Sequence, residues 1–143
     1  NKQLDIEYIL SNKLDYIIDL FEKKGYKNEQ NVMAVSIIKK SLSALCNSKD
    51  GQWIYQVHED DQFELKHIVM LGDDFEIRIP DRTFIHNNTR WIIDYKVLFG
   101  DKDLSIEAKK HLRQLNIYES LFDDKYPVIK AIYFAPQGKL IRL

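Results

Sequence analysis

The sequence predicts a mixed β-sheet with helices packed on it, an α/β chain of the α+β kind. Three observations predict it. Before Gly51, apolar residues recur at helical spacing; after it, short aromatic and β-branched runs alternate or turn wholly apolar. Short turns, GDD (72–74) and HNNT (86–89), separate those runs. A further helical stripe then falls between two strand-like segments, the arrangement of a crossover that makes its flanking strands parallel.

The elements follow in order. Leu10, Leu14, Ile17, Ile18 and Phe21 line one helical face, and Gly25 is a C-terminal stop. Asn12, with Asp15 three residues on, is placed to cap this helix, which leaves 3–10 as a separate turn or helix. Val35, Ile38, Leu42 and Leu45 line a second helix, with Lys39 and Lys40 off the stripe, and NSKDG (47–51) ends it. WIYQV (53–57), FELKHIVML (63–71), FEIRIPDRTFI (75–85) and RWIIDYKVLF (90–99) read as strands, the last three as an antiparallel meander. Leu112, Leu115, Tyr118, Leu121 and Phe122 form a helical stripe that Ser105 could cap. VIKAIYFAP (128–136) is a strand, and Gln137-Gly138 turns into LIRL (140–143).

A chain of 143 residues makes one ordinary domain. The expected division is a helical lead-in over 1–48 and a sheet with its helix over 51–143. Hydrophobic residues at 45% and charged residues at 30% match a globular protein in water, so a fibrous or disordered chain is excluded. No apolar run approaches the roughly 20 residues of a membrane helix, so no membrane partner is expected. A single cysteine, Cys46, excludes an internal disulfide and fits a reducing, cytoplasmic compartment. Net charge is -1, without the basic excess of many nucleic-acid binders, although a local basic lip and metal ions can replace it. The chain opens on Asn1 rather than Met, and a piece of a larger protein is expected.

Chemistry concentrates in RWIIDYK (90–96). Residues two apart on a strand share a face, so Asp94 and Lys96 stand side by side in an apolar element. Pro80-Asp81 interrupts the preceding strand and marks an edge, bulge or bend. Counting back through HNNT brings Asp81 near Asp94. Two close carboxylates repel unless a cation sits between them, and hard oxygen donors suit Mg²⁺. Two carboxylates and a lysine suit metal-assisted attack of water on a phosphodiester. The spacing alone fits better an intrastrand ion pair on a solvated face.

IPDRTFIHNNTRWIIDYK (79–96), followed by Gln114-Leu-Asn-Ile-Tyr118, resembles the RecB-type nucleases of the PD-(D/E)XK superfamily. The nearest likeness is to the C-terminal nuclease domain of UvrD/RecB/AddA-like helicase–nucleases. GQWIYQVHEDDQFEL (51–65), with Glu64, resembles that family's lead-in, and AIYFAP (131–136) its strand after the helix. The resemblance implies a restriction-endonuclease-like mixed sheet flanked by helices. It implies metal-dependent hydrolysis of DNA, endo- or exonucleolytic, in repair or recombination. Asp81 and Asp94 would bind Mg²⁺ or Mn²⁺ with the backbone carbonyl of Tyr95, and Lys96 would be catalytic. Gln114 and Tyr118 would contact the DNA backbone or orient the site. The implied partners are DNA, as single strands, a helicase module of the same parent chain, and a partner subunit. One departure stands out: the family's metal-ligating histidine on an upstream helix has no counterpart, since His58 is the first histidine. The alternative is therefore a nuclease-like module that binds DNA or a partner without cutting.

The other histidines, His58, His67, His86 and His111, fit no zinc pattern and read as surface or structural residues. HEDD (58–61) and GDDFE (72–76) read as solvated acidic loops. Lys102, Lys109, Lys110, Arg113, Lys125 and Lys130 are the candidate phosphate-facing side.

Overall fold

The structure is a computed structural model that describes residues 2–123 and 125–143. The chain forms two compact units, one of residues 2–55 with Ala135–Lys139, the other of Gln56–Phe134 with Leu140–Leu143.

The first unit is helical. α1 (Lys2–Lys23) is one continuous helix, not a turn followed by a capped helix. The side-chain amide of Asn12 does not cap; it donates back to the Tyr8 carbonyl at 2.9 Å, a bond an unbroken helix permits. Gly25 ends α1 with φ +83. Its N–H donates to Glu22 and that of Tyr26 to Phe21, while the Phe21 and Tyr26 rings pack 5.7 Å apart, a Schellman stop with its hydrophobic contact. α2 (Asn28–Asn47) follows and packs on α1. The expected strand at 53–57 is absent. Ser48 instead caps a short helix, α3 (Lys49–Ile54), by accepting the Gly51 N–H at 2.9 Å. A 3₁₀ turn (Ala135–Gln137) packs against α2.

The second unit holds a five-stranded mixed sheet. Its strands are β1 (Glu59–Phe63), β4 (Arg82–His86), β5 (Thr89–Lys96), β6 (Val128–Phe134) and β7 (Lys139–Arg142), neighbours in that order. β2 (His67–Leu71) and β3 (Asp74–Arg78) pair only with each other, as a separate two-stranded hairpin. The expected meander is therefore divided: Ile79-Pro80-Asp81 breaks 75–85 in two, because proline cannot donate to a ladder. β4 and β5 form the expected hairpin. Asn87 and Asn88 sit at φ +50 and +55, the left-handed pair that a two-residue turn between twisted strands requires. β5 and β6 are parallel, joined by α4 (Leu104–Lys109) and α5 (Leu112–Glu119). The crossover is thus two short helices rather than one, capped by Asp103, not Ser105. On the helix side of the sheet, Ile92, Ile132 and Phe134 form a core with Ala108, Leu115 and Tyr118. This is the mixed sheet with flanking helices that the sequence predicts.

Candidate active site

β5 is the central strand and is buried from Arg90 to Asp94, which explains its nearly unbroken apolar run. Asp94 is 2% exposed. The register pairs Arg82 with Ile93, so Asp81, one step before β4, falls opposite Asp94. The Asp81 Oδ2 accepts the Tyr95 N–H at 2.7 Å, and its carboxyl reaches that of Asp94. Burial, then the Asp94 carboxylate, pushes the Asp81 carboxyl above its usual pKa, against the Tyr95 N–H and the Lys96 charge. Lys96 Nζ lies 2.5 Å from Asp94 Oδ2. That ion pair places the ammonium of Lys96 directly on the buried Asp94 carboxylate. The structure brings Asp81, Asp94 and Lys96 together on the helix side of the sheet.

Arg82 faces the other way. Its Nε and Nη2 donate to the two Asp61 oxygens at 2.8 and 2.6 Å, and Nη2 also donates to the Gln56 carbonyl at 2.9 Å. The guanidinium lies between the Phe63 and Phe84 rings, 4.7 and 5.0 Å from their centroids, and bonds the Tyr95 hydroxyl. Both charged side chains are buried, at 4% and 9% exposure. A buried pair of this kind needs its extra hydrogen bonds to offset desolvation, and here it has them. Burial pushes the Asp61 carboxyl up, but the Arg82 and His58 contacts prevail and hold it below its usual value.

Asp60 sits in a bulge of β1, where the register slips between Glu59 and Gln62, at φ +48. Its Oδ2 accepts from Arg90 Nη2 at 2.8 Å, and that bond lowers its carboxyl pKa. Arg90 also donates to Thr83 and covers the Phe122 ring at 4.9 Å. HEDD is therefore not a solvated loop. The bulge sends consecutive aspartates to two buried arginines, one pairing with β4 and one with β5. Glu64, at φ +50, donates its N–H to the Asp81 carbonyl at 2.9 Å and so fixes the backbone beside the site.

Tyr95 lies between Asp94 and Lys96 and pairs across the ladder with Tyr133. Gln114 Nε2 donates to the Tyr118 hydroxyl at 2.6 Å. The Tyr118 ring is a core residue at 5% exposure, so only its hydroxyl end has a polar task. Two of the candidate phosphate-facing lysines are already engaged. Lys110 pairs with Glu107, and Lys130 with Asn116 and Glu119. His58 stacks on Phe84 at 4.0 Å and meets His86 edge-on, a packing role. His67 meets the Phe122 ring edge-on at 5.1 Å. Among the described residues, no three His, Cys, Asp or Glu side chains gather to hold a metal.

Sequence reading missed one structural partner of the site and set a second residue aside. The Asp61–Arg82 clamp left no signal beyond an acidic run and an arginine after Asp81. His111 reads as a surface or structural histidine, although three residues before Gln114 it could approach a substrate; burial, then the Lys96 charge, lowers its pKa. The chain matches no protein-family model and no curated protein sequence.

Proposed function

We propose that this chain hydrolyses DNA phosphodiester bonds with a divalent cation, as a nuclease module of the RecB type. One observation carries the reading: two opposed carboxylates, the buried Asp94 and the half-buried Asp81, with Lys96 beside them. The residues fit a hard cation. Asp81 is held above its usual pKa by burial and by the neighbouring Asp94 carboxylate, the crowding of oxygens that a hard cation between them would relieve. Asp81, Asp94 and the Tyr95 carbonyl would hold Mg²⁺ or Mn²⁺ through oxygen. The bound ion would polarise the phosphodiester and acidify an attacking water. Lys96 stabilises negative charge gathering on the phosphate. Gln114 and Tyr118 orient the site or the strand. The substrate is single-stranded DNA, delivered by a helicase module of the parent chain together with a partner subunit, in the cytoplasm.

A second reading is a module that binds without cutting. The Lys96 contact to Asp94 favours it, because the lysine balances that carboxylate without any metal. Cleavage of end-labelled single-stranded DNA in Mn²⁺ separates the two. The parent protein should cut, EDTA should stop it, and Lys96→Ala should slow it by about 10²–10³-fold. Equal cutting by Lys96→Ala would remove this site from the chemistry. No cutting by the parent would leave the binding module.

A further inference from the structure

His111 stands at the α4–α5 junction, and the crossover fixes where. β5 and β6 are parallel, so α5 returns antiparallel to β5. Two contacts set its register. Phe122, just past α5, lies under the Arg90 guanidinium at the start of β5. Leu115, midway, shares a core with Ile92. From Leu115 back to His111 is one helical turn, about 6 Å of rise. From Ile92 forward to Asp94 is two strand residues, about 6.6 Å. The two steps match, and His111 comes to the Asp94–Lys96 end of the sheet on the face those residues occupy. The Lys96 charge acts on the imidazole, as this placement requires. His111, Gln114 and Tyr118 then form one stripe along α5.

We propose that His111 donates a hydrogen bond to the phosphate of a nucleic-acid strand lying beside Lys96. The inference rests on the nuclease reading and names a substrate contact within it. Burial, then Lys96, with Lys110 and against Glu107, lowers the imidazole pKa, which favours the neutral ring with one N–H to give beside the lysine. His111 makes no side-chain cap bond at the start of α5, so replacing it removes no helix cap.

The test is anisotropy of a fluorescein-labelled oligothymidylate in Ca²⁺, with the strand checked intact on a gel and folding checked by circular dichroism. His111→Ala should bind about tenfold more weakly, the loss expected for one hydrogen bond to a charged group. His111→Gln, which keeps an N–H donor at similar reach, should recover most of it. The salt dependence of affinity should be unchanged in His111→Ala and shallower by about one unit in Lys96→Ala, since only the lysine displaces a counterion. Parent-like binding by His111→Ala, no rescue by His111→Gln, or no binding by the parent overturns the inference. A parent that binds through His111 but never cuts in Mn²⁺ removes the nuclease reading alone. A parent that cuts with His111→Ala indistinguishable from it removes the histidine alone.

Discussion

The Asp81 carboxyl carries a strain that folding imposes and a ligand can relieve. Burial, then the neighbouring Asp94, raises its pKa above the ordinary carboxylate value. The sign of the linkage follows. A carboxyl that binds its proton more tightly when folded loses stability as pH rises from its unfolded pKa through its folded one. Above that window the folded chain holds a charge it disfavours. Asp81→Asn keeps an oxygen to accept the Tyr95 N–H and removes the charge. In EDTA at neutral pH, Asp81→Asn should therefore melt at a higher temperature than the parent. The gap should narrow as pH falls through the folded pKa toward the unfolded one. Equal melting at all pH values would show that Asp81 is not held as described. Arg82, one residue on, has the opposite character. Its charge is matched by Asp61 and its remaining donors by Gln56 and Tyr95, so it anchors β4 and leaves Asp81 to face the site.

At the corner between α2 and α3, backbone meets backbone. A Cβ on Gly51 would fall 2.5 Å from the Leu45 carbonyl oxygen and 2.7 Å from that of Ala44. Neither atom is the end of a flexible side chain, so Gly51→Ala must move the helices apart. It should cost about 1–3 kcal/mol in urea denaturation, the range for overpacking. Gly25→Ala is the contrast, since nothing lies within 4 Å of its added Cβ and the strain there is only that of φ +83. The same corner shows why one element was misread. WIYQV is aromatic and β-branched, and over five residues that pattern does not separate strand from helix. The Ser48 cap and the close approach at Gly51 decide for helix. Elements whose ends carry their own chemistry were legible. Gly25 stops α1, and the two asparagines at φ > 0 turn β4 into β5. Proline at position 80 marked a break correctly, but the sequence did not show that the break would separate a hairpin from the main sheet.

Across the whole molecule, legibility falls with the number of long-range pairings a residue needs. Asp94 and Lys96 needed only the period of a strand, and Asp81 only a count through one turn. Arg82 needed Asp61, 21 residues away across a bulge that shifts the count by one. His111 needed the direction of a crossover and two packing contacts to set its register. The cation proposed for Asp81 and Asp94 would link these scales, because a ligand bound only by the folded chain stabilises it by mass action. Mn²⁺ at a hundred times its dissociation constant should add about 2.7 kcal/mol. For a chain of this size that is a rise of about 5–10 °C in melting temperature. Asp94→Asn should lose most of the rise. The parent and Asp81→Asn should exchange rank, the variant more stable in EDTA and the parent more stable in Mn²⁺. That exchange separates a metal site from an acidic pair that Lys96 alone neutralises, for in the latter case the variant stays more stable in both buffers. It needs no cleavage assay, so it tests the carboxylate pair even where the chain alone cuts no DNA.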